Sequence, residues 1–231
     1  MEKFTAIVLA AGSGSRMGLD VKKQYLMMEN KPLVFYALDT FQRSRVDEII
    51  LVVSPGDEAY AKEEIVDKYS LTKVSRIVPG GKERYDSVYE GLKAADGDYV
   101  LIHDGARAFV TEEIILRAME DVKVSKANVV AVPVKDTIKL SDKDGYVADT
   151  IDRSRAWSIQ TPQSFSLSLI KGAYEKALKG DTSGITDDAM IIEKMTDCRV
   201  KFVEGSYDNI KVTTVEDIAL GEIILKKQKR C

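Results

Sequence analysis

Several side chains in this sequence are placed where they could handle a polyphosphate. The first group lies in Ala11-Gly12-Ser13-Gly14-Ser15-Arg16-Met17-Gly18 and, after a short spacer, Lys22-Lys23-Gln24. Glycine lacks a Cβ and accepts positive φ, so Gly12, Gly14 and Gly18 let backbone N–H groups turn inward and approach an anion closely. Arg16 and Lys23 add fixed positive charge to the same concavity. The loop empties out of the apolar run Ala6-Ile7-Val8-Leu9-Ala10, which places it at the end of a buried strand.

Spacing separates the readings of this loop. A Walker-type loop needs Gly-Lys-Ser/Thr after its second glycine, whereas Gly18 is followed by Leu19 and Asp20. A dinucleotide fingerprint would begin its helix inside the glycine run, but the next helical pattern starts only near Pro32. An ordinary strand-to-helix turn is the remaining alternative, and such a turn needs neither Arg16 nor Lys23.

Further chemistry-bearing residues follow other apolar runs. Gly80-Gly81 precedes Arg84 and Ser87, and small residues with a hydroxyl suit a flat base edge, although a plain glycine turn and helix start would look the same. In His103-Asp104-Gly105-Ala106-Arg107, Asp104 at a strand end facing a phosphate loop is a candidate ligand for Mg2+, a hard cation that takes oxygen ligands and bound phosphates. Arg107 could fork onto a second phosphate. His103 is the only histidine and no suitable cysteine lies near it, so a zinc site is not expected. Thr186-Asp187-Asp188 reads as a helix start, with Thr186 as N-cap and the aspartates at the positive end of the dipole. Lys211, between Ile210 and Val212 on an expected short strand, is placed to point its charge into a cleft. Arg153 and Arg155 would pass for a solvated face.

These residues need a scaffold that collects strand ends. Apolar runs rich in Val and Ile at Thr5–Ala10, Glu48–Val53, Val74–Val78, Tyr99–His103, Val129–Pro133 and Val200–Val203 alternate with amphipathic patterns at Pro32–Phe41, Asp57–Tyr69, Arg84–Ala95 and Thr111–Val122. Such alternation predicts an α/β domain with a mainly parallel, Rossmann-like sheet whose ligands sit beyond the carboxyl ends of its strands. With 231 residues and 45% apolar composition, one domain over 1–231 is expected. A net charge of -3 argues against a broad nucleic-acid surface. The two cysteines, Cys198 and Cys231, have no metal or disulfide spacing. No apolar run is long enough to span a bilayer and no signal-peptide core precedes the first strand, so a soluble, cytoplasmic protein is expected.

Residues 136–157 break the rhythm, with a hairpin arm expected over 137–152. Thr137–Leu140 and Tyr146–Ile151 flank a turn carrying Asp144-Gly145, a hairpin signal. A two-stranded ribbon is marginal alone in water, so it should pack either on its own domain or on a second subunit.

Taken together, Leu9–Gly12 through Arg16-Met17-Gly18, Lys23-Gln24-Tyr25, Gly80-Gly81 with Arg84 and Asp86-Ser87-Val88, His103–Arg107, Pro133–Thr137, Gln160-Thr161-Pro162-Gln163, Thr186–Ala189 and Asn209–Thr213 resemble the 2-C-methyl-D-erythritol 4-phosphate cytidylyltransferase family over nearly the whole chain. Ala108 stands where that family usually has proline. The resemblance implies transfer of a cytidylyl group from CTP to methylerythritol phosphate with Mg2+, in non-mevalonate isoprenoid biosynthesis. It implies Arg16, Lys23 and Lys211 as catalytic residues. It further implies Ala10, Ala11, Gly12, Gly14, Gly81, Ser87 and Asp104 for CTP, Asp104 for the metal, and Arg107, Thr137, Arg153, Thr186 and Lys211 for methylerythritol phosphate. It also implies a homodimer joined by the 137–152 hairpin arm. Separately from the resemblance, a glycine-rich 13–23 loop that must wrap a triphosphate is expected to order on it. Ribitol 5-phosphate cytidylyltransferase shares the phosphate loop, the Thr-Pro-Gln block and the Asn-Ile-Lys block and is the alternative enzyme. A non-catalytic nucleotide-binding protein of this fold is the other alternative, but it would not need Arg16, Lys23, Asp104 and Lys211 together.

Overall fold

In a computed structural model, residues 2–12 and 22–228 are described. The chain opens with β1 (Phe4–Ala10), followed by the short pair β2 (Met27–Met28) and β3 (Lys31–Pro32), then α1 (Leu33–Arg43) and β4 (Glu48–Val53). Next come α2 (Glu58–Tyr60), continued as a π-helical stretch over Ala61–Asp67, then β5 (Val74–Pro79), α3 (Arg84–Ala94), β6 (Tyr99–Asp104), α4 (Glu112–Ser125) and β7 (Ala127–Pro133). The ribbon strands β8 (Lys139–Ser141) and β9 (Val147–Thr150) lead into β10 (Trp157–Ser166), and α5 (Leu167–Ala177), α6 (Asp188–Met195), β11 (Lys201–Glu204) and α7 (Glu216–Gln228) complete the described chain.

The main sheet has seven strands in the order β11-β7-β10-β6-β1-β4-β5. All of its pairs are parallel except those of β10, which runs antiparallel between β6 and β7. The central strands are buried on both faces, which is why they read as unbroken apolar runs. Successive residues still divide between the faces. Ala6 and Val8 pack with Phe35, Leu38 and Phe41 of α1 and Ile114 and Ile115 of α4. Ile7 packs on the other face with Val88 and Leu92 of α3 and with Ile170 and Tyr174 of α5. The result is a three-layer α/β sandwich with the carboxyl ends of β1, β4, β5 and β6 along one rim.

The predicted α/β class holds, and the expected strands and helices are found with small changes at their ends. Pro32 stands at the N-cap of α1 rather than in its first turn, and Thr111 caps α4 by accepting from the Ile114 N–H. Residues 209–213 differ from the expected short strand. They are irregular and tied to the fold by the Val212 N–H, which donates to Ala106 O at 2.9 Å. The 137–152 segment forms a paired antiparallel ribbon, narrower than the apolar pattern suggested. At its turn the Asp142 carboxylate accepts from the Asp144 and Tyr146 N–H groups, and Gly145 takes φ +86°.

The sequence pattern did not reveal β10. Its Ser, Gln, Thr and Pro content hides a central strand in which Gln160, Thr161, Gln163 and Ser164 are all buried. Pro162 argues against a central strand unless there is a bulge, and a bulge is present: the pairing with β7 slips between Ile159 and Gln163.

Candidate active site

The strand ends enclose a cleft of about 430 Å³. Ala10, Ala11 and Gly12 enter it from the end of β1, Lys23 from a 3-10 turn at Lys23–Tyr25, Gly81 and Ser87 from β5 and α3, Asp104 from β6, and Lys211 from the irregular C-terminal segment. Eight expected site residues, drawn from six separate stretches of chain, therefore meet in one concavity. Gly14 and Arg16, together with the ordering expected of their loop, lie outside the described residues.

The wall at Gly80-Gly81 is set by close packing. A Cβ on Gly80 would meet Ala11 Cβ at 2.6 Å and Ser87 Oγ at 2.7 Å, and one on Gly81 would meet Asp86 Cβ at 2.3 Å. The Gly81 N–H donates to Ser87 Oγ (3.1 Å), and that hydroxyl donates to Glu83 O (3.2 Å). The turn is followed by a reciprocal cap in which Glu83 and Asp86 satisfy each other's backbone N–H groups. On the opposite side, Lys22 is held by Asp57 at 2.7 Å. Its charge thus anchors the 22–25 segment, and Lys23 is the lysine of the pair that lines the cleft.

Asp104 is the electrostatic centre of the floor. Its Oδ1 accepts from Arg84 Nε at 3.2 Å and its Oδ2 from Lys211 Nζ at 2.7 Å. Burial opposes ionisation, but Arg84, Lys211 and Arg107 overcome it and hold the carboxyl well below the usual carboxylate range. An ionised carboxylate of this kind fits Mg2+. The described residues contain no cluster of three or more acidic, His or Cys side chains able to cage a metal alone, and Mg2+ normally binds through one or two carboxylates with substrate phosphates and water.

The bulge in β10 positions this floor. Thr161 Oγ1 accepts from the Asp104 N–H (3.1 Å) and lies 3.0 Å from His103 Nδ1. His103 Nε2 faces Arg107 O at 3.0 Å, and a carbonyl can only accept. The assignment that satisfies every partner puts the proton on Nε2 and has Thr161 donate to Nδ1. Burial pushes the His103 pKa down to about 4, so the ring is neutral. His103 is therefore a structural strut.

Asn209 fastens the other side. Its Nδ2 donates to Thr161 O (3.0 Å) and Gln160 Oε1 (3.3 Å). Arg107 donates to Asn209 O (2.8 Å) and Ile159 O (3.2 Å), so its guanidinium joins the bulge to the segment carrying Lys211 instead of lining the cleft. Burial lowers its pKa from the ordinary value. Its Nε has no hydrogen-bond partner among the described residues.

Thr137, Arg153 and Thr186 do not line the cleft. Thr137 and Arg153 are exposed near the ribbon, with Arg153 donating to Lys135 O at 2.9 Å. Thr186 is also exposed, and it is not the N-cap of α6. Asp187 takes that place and accepts from the Met190 N–H, because Asp188 is already in the first turn. Sequence alone gives no role to Arg84, which lines the cleft, and only a helix-start role to Asp188, which grips Arg84 with both carboxylate oxygens. Helix capping accounts for Asp188 from sequence, and only its pairing with a distant arginine separates the two explanations.

Residues 4–227 match the family described as IspD, 2-C-methyl-D-erythritol 4-phosphate cytidylyltransferase. A protein of that name from Lachnoclostridium phytofermentans is 45% identical over 230 residues, covering 99% of each chain. Another, from Alkaliphilus metalliredigens, is 46% identical over 98% of this chain and 95% of its own. The crystal structure of 4-diphosphocytidyl-2C-methyl-D-erythritol synthase from Anaerococcus prevotii superposes with a TM-score of 0.87 at 38% identity, covering 97% of this chain and 96% of that one. The chain belongs to the 2-C-methyl-D-erythritol 4-phosphate cytidylyltransferase family.

Proposed function

We propose that this protein transfers a cytidylyl group from CTP to 2-C-methyl-D-erythritol 4-phosphate, giving 4-diphosphocytidyl-2-C-methyl-D-erythritol and pyrophosphate. The observation that carries this reading is the convergence of Ala10–Gly12, Gly81, Ser87, Lys23, Asp104 and Lys211 on one strand-end cleft, in a member of this family.

An oxygen of the methylerythritol phosphate forms a bond to the α-phosphorus of CTP while the bond to the pyrophosphate oxygen breaks, and the electron pair leaves with pyrophosphate. Such transfers depend on positioning and on stabilising charge, so a protein nucleophile is unnecessary. Ala10, Ala11, Gly12, Gly14, Gly81 and Ser87 hold the nucleotide, with the packed Gly80-Gly81 wall leaving room for a flat base. Lys23, Lys211 and, from the phosphate loop, Arg16 stabilise negative charge on the triphosphate. Asp104 holds Mg2+, which when bound neutralises phosphate charge. Asp104 also keeps Lys211 at the floor of the cleft.

Thr137, Arg153 and Thr186 are assigned to methylerythritol phosphate, with Thr137 and Arg153 acting in the neighbour's site of a homodimer joined through the 137–152 ribbon, while Arg107 braces the segment that carries Lys211. The exposed Leu140, Tyr146 and Val147 of that ribbon support this assignment. We place the enzyme in the cytoplasm, acting without nucleic acid or membrane; no helix among the described residues is long and apolar enough to cross a bilayer. Omitting Mg2+ from a pyrophosphate-release assay tests the metal assignment: turnover should be lost and should return when Mg2+ is added back, and turnover at an undiminished rate in chelator would refute it.

A further inference from the structure

The Arg84 guanidinium stands between two carboxylates that hold it in different ways. Its fork is closed end-on by Asp188, with NH1 donating to Oδ1 at 2.9 Å and NH2 to Oδ2 at 2.8 Å. Its Nε alone is directed to Asp104, at 3.2 Å. The Asp188 side chain is fully buried, with 0% exposure. Its Oδ1 also accepts from Tyr174 OH at 2.6 Å, and the backbone N–H groups of Asp188 and Ala189 donate to Gln163 Oε1 at 3.1 and 3.0 Å. Tyr174 is fully buried, and burial together with the neighbouring carboxylate raises its phenol well above the ordinary value, so its O–H stays a donor. Asp188 therefore has fixed supports on α5, α6 and β10.

Fold stability is a weak account of this arrangement, because a buried ion pair contributes little compared with apolar packing of the same volume. Its geometry suggests another role. Arg84 lines a cleft suited to phosphates, and a free guanidinium forks onto phosphate oxygens. Held by Asp188, the fork is occupied and the guanidinium edge is aimed at Asp104, leaving Asp104 Oδ2 to Lys211.

We propose that Asp188 is a positioning residue for nucleotidyl transfer, which clamps the Arg84 fork so that Arg84 orders Asp104 and is withheld from the polyphosphate. This rests on the proposed function and adds to it a control over which cation meets the nucleotide.

Asp188→Asn keeps the side-chain volume but sets an amide N–H against an arginine N–H, which releases the fork. With methylerythritol phosphate, CTP and Mg2+, kcat per folded enzyme should fall about tenfold or more, since misplacing a reacting constellation costs rate steeply. In the same variant CTP, titrated calorimetrically without the second substrate, should bind about threefold more tightly, the scale of one added partly exposed charge contact. Tyr174→Phe removes one supporting donor and leaves the fork, so kcat should fall by about threefold at unchanged CTP affinity. A Asp188→Asn enzyme with unchanged kcat, or one that loses kcat and CTP affinity together, would overturn the proposal. Were that variant unable to fold, an unchanged kcat in Tyr174→Phe would overturn it. If the wild-type enzyme released no pyrophosphate, the functional reading would fail by itself; the CTP titrations would still decide the clamp, supported by tighter binding in Asp188→Asn and overturned by equal or weaker binding.

Discussion

The floor around Asp104, built on the end of β6 and the middle of β10, and the ribbon of β8 and β9, which follows β7, use polar and apolar groups in opposite ways. At the floor, Asp104, Thr161, His103, Asn209 and Arg107 are buried or half-buried and pass hydrogen bonds from one to the next. In the ribbon every strand residue is exposed, and Leu140 and Val147 face outward. A buried polar group costs free energy unless it is partnered, and the floor meets most of that demand from its own chain, with Arg107 Nε and Asn209 Oδ1 left without a partner among the described residues. A bare two-stranded ribbon with exposed apolar residues has no such internal completion. The difference separates what one protomer builds from what we assign to a second.

The sharpest way to break this contrast is to remove a floor residue that reaches the cleft. Lys211→Ala should lower kcat about 100-fold or more, the usual cost of deleting one group that stabilises transition-state charge. Because Lys211 is partly exposed at the cleft, the unfolding midpoint should move little by comparison. Pyrophosphate-release kinetics alongside thermal unfolding check both parts, and near-normal turnover would detach Lys211 from the chemistry.

The floor should also show in the pH dependence of stability. His103 has a folded pKa of about 4, below its ordinary 6.5, so the unfolded chain takes up a proton first as pH falls. Stability contributed by the neutral ring is complete above pH 6.5 and is lost as pH falls toward 4, by about 3 kcal/mol across that window. Since there is only one histidine, His103→Gln should flatten this part of a denaturant-unfolding pH profile measured without divalent cations. A profile of the same slope in both proteins would contradict the buried neutral assignment.

Thr161→Val is a smaller perturbation of the same network. It leaves the Asp104 N–H and His103 Nδ1 without their shared partner, at a cost of about 2 kcal/mol. Urea unfolding reads this directly, and a variant as stable as the parent would show that the bulge does not depend on that hydroxyl.

The ribbon should give the smallest effect on the protomer. Leu140→Ser with Val147→Ser should change protomer stability by no more than about 0.5 kcal/mol, as surface substitutions do. Sedimentation velocity should nevertheless show a shift from dimer to monomer. An intact dimer would remove the ribbon from the interface.

The same contrast explains how much could be read from sequence. Strands β1, β4 and β6 were readable because burial on both faces writes Val and Ile in unbroken runs. Among the cleft residues, Asp104 was readable because charge at the end of such a run has few structural reasons to be there, Lys23 because it closes a glycine-rich loop, and Lys211 because Ile210 and Val212 flank it. β10 was not, since its Gln160-Thr161-Pro162-Gln163 core is polar and its hydrogen-bond partners on β6, α6 and the 209–213 segment are distant in the chain. Asp188 and Arg84 were hidden for the same reason. They are 104 residues apart, and local capping logic accounts for an aspartate at a helix start without any reference to arginine. Arg107 was recognised as important but for a contact with phosphate, whereas in this structure its guanidinium joins backbone carbonyls.

The most direct test is pyrophosphate release with CTP and Mg2+, offering 2-C-methyl-D-erythritol 4-phosphate and ribitol 5-phosphate in separate reactions. Turnover strongly favouring the methylerythritol substrate is the predicted result. Preference for ribitol 5-phosphate, or no release with either, would contradict the function proposed for this cleft.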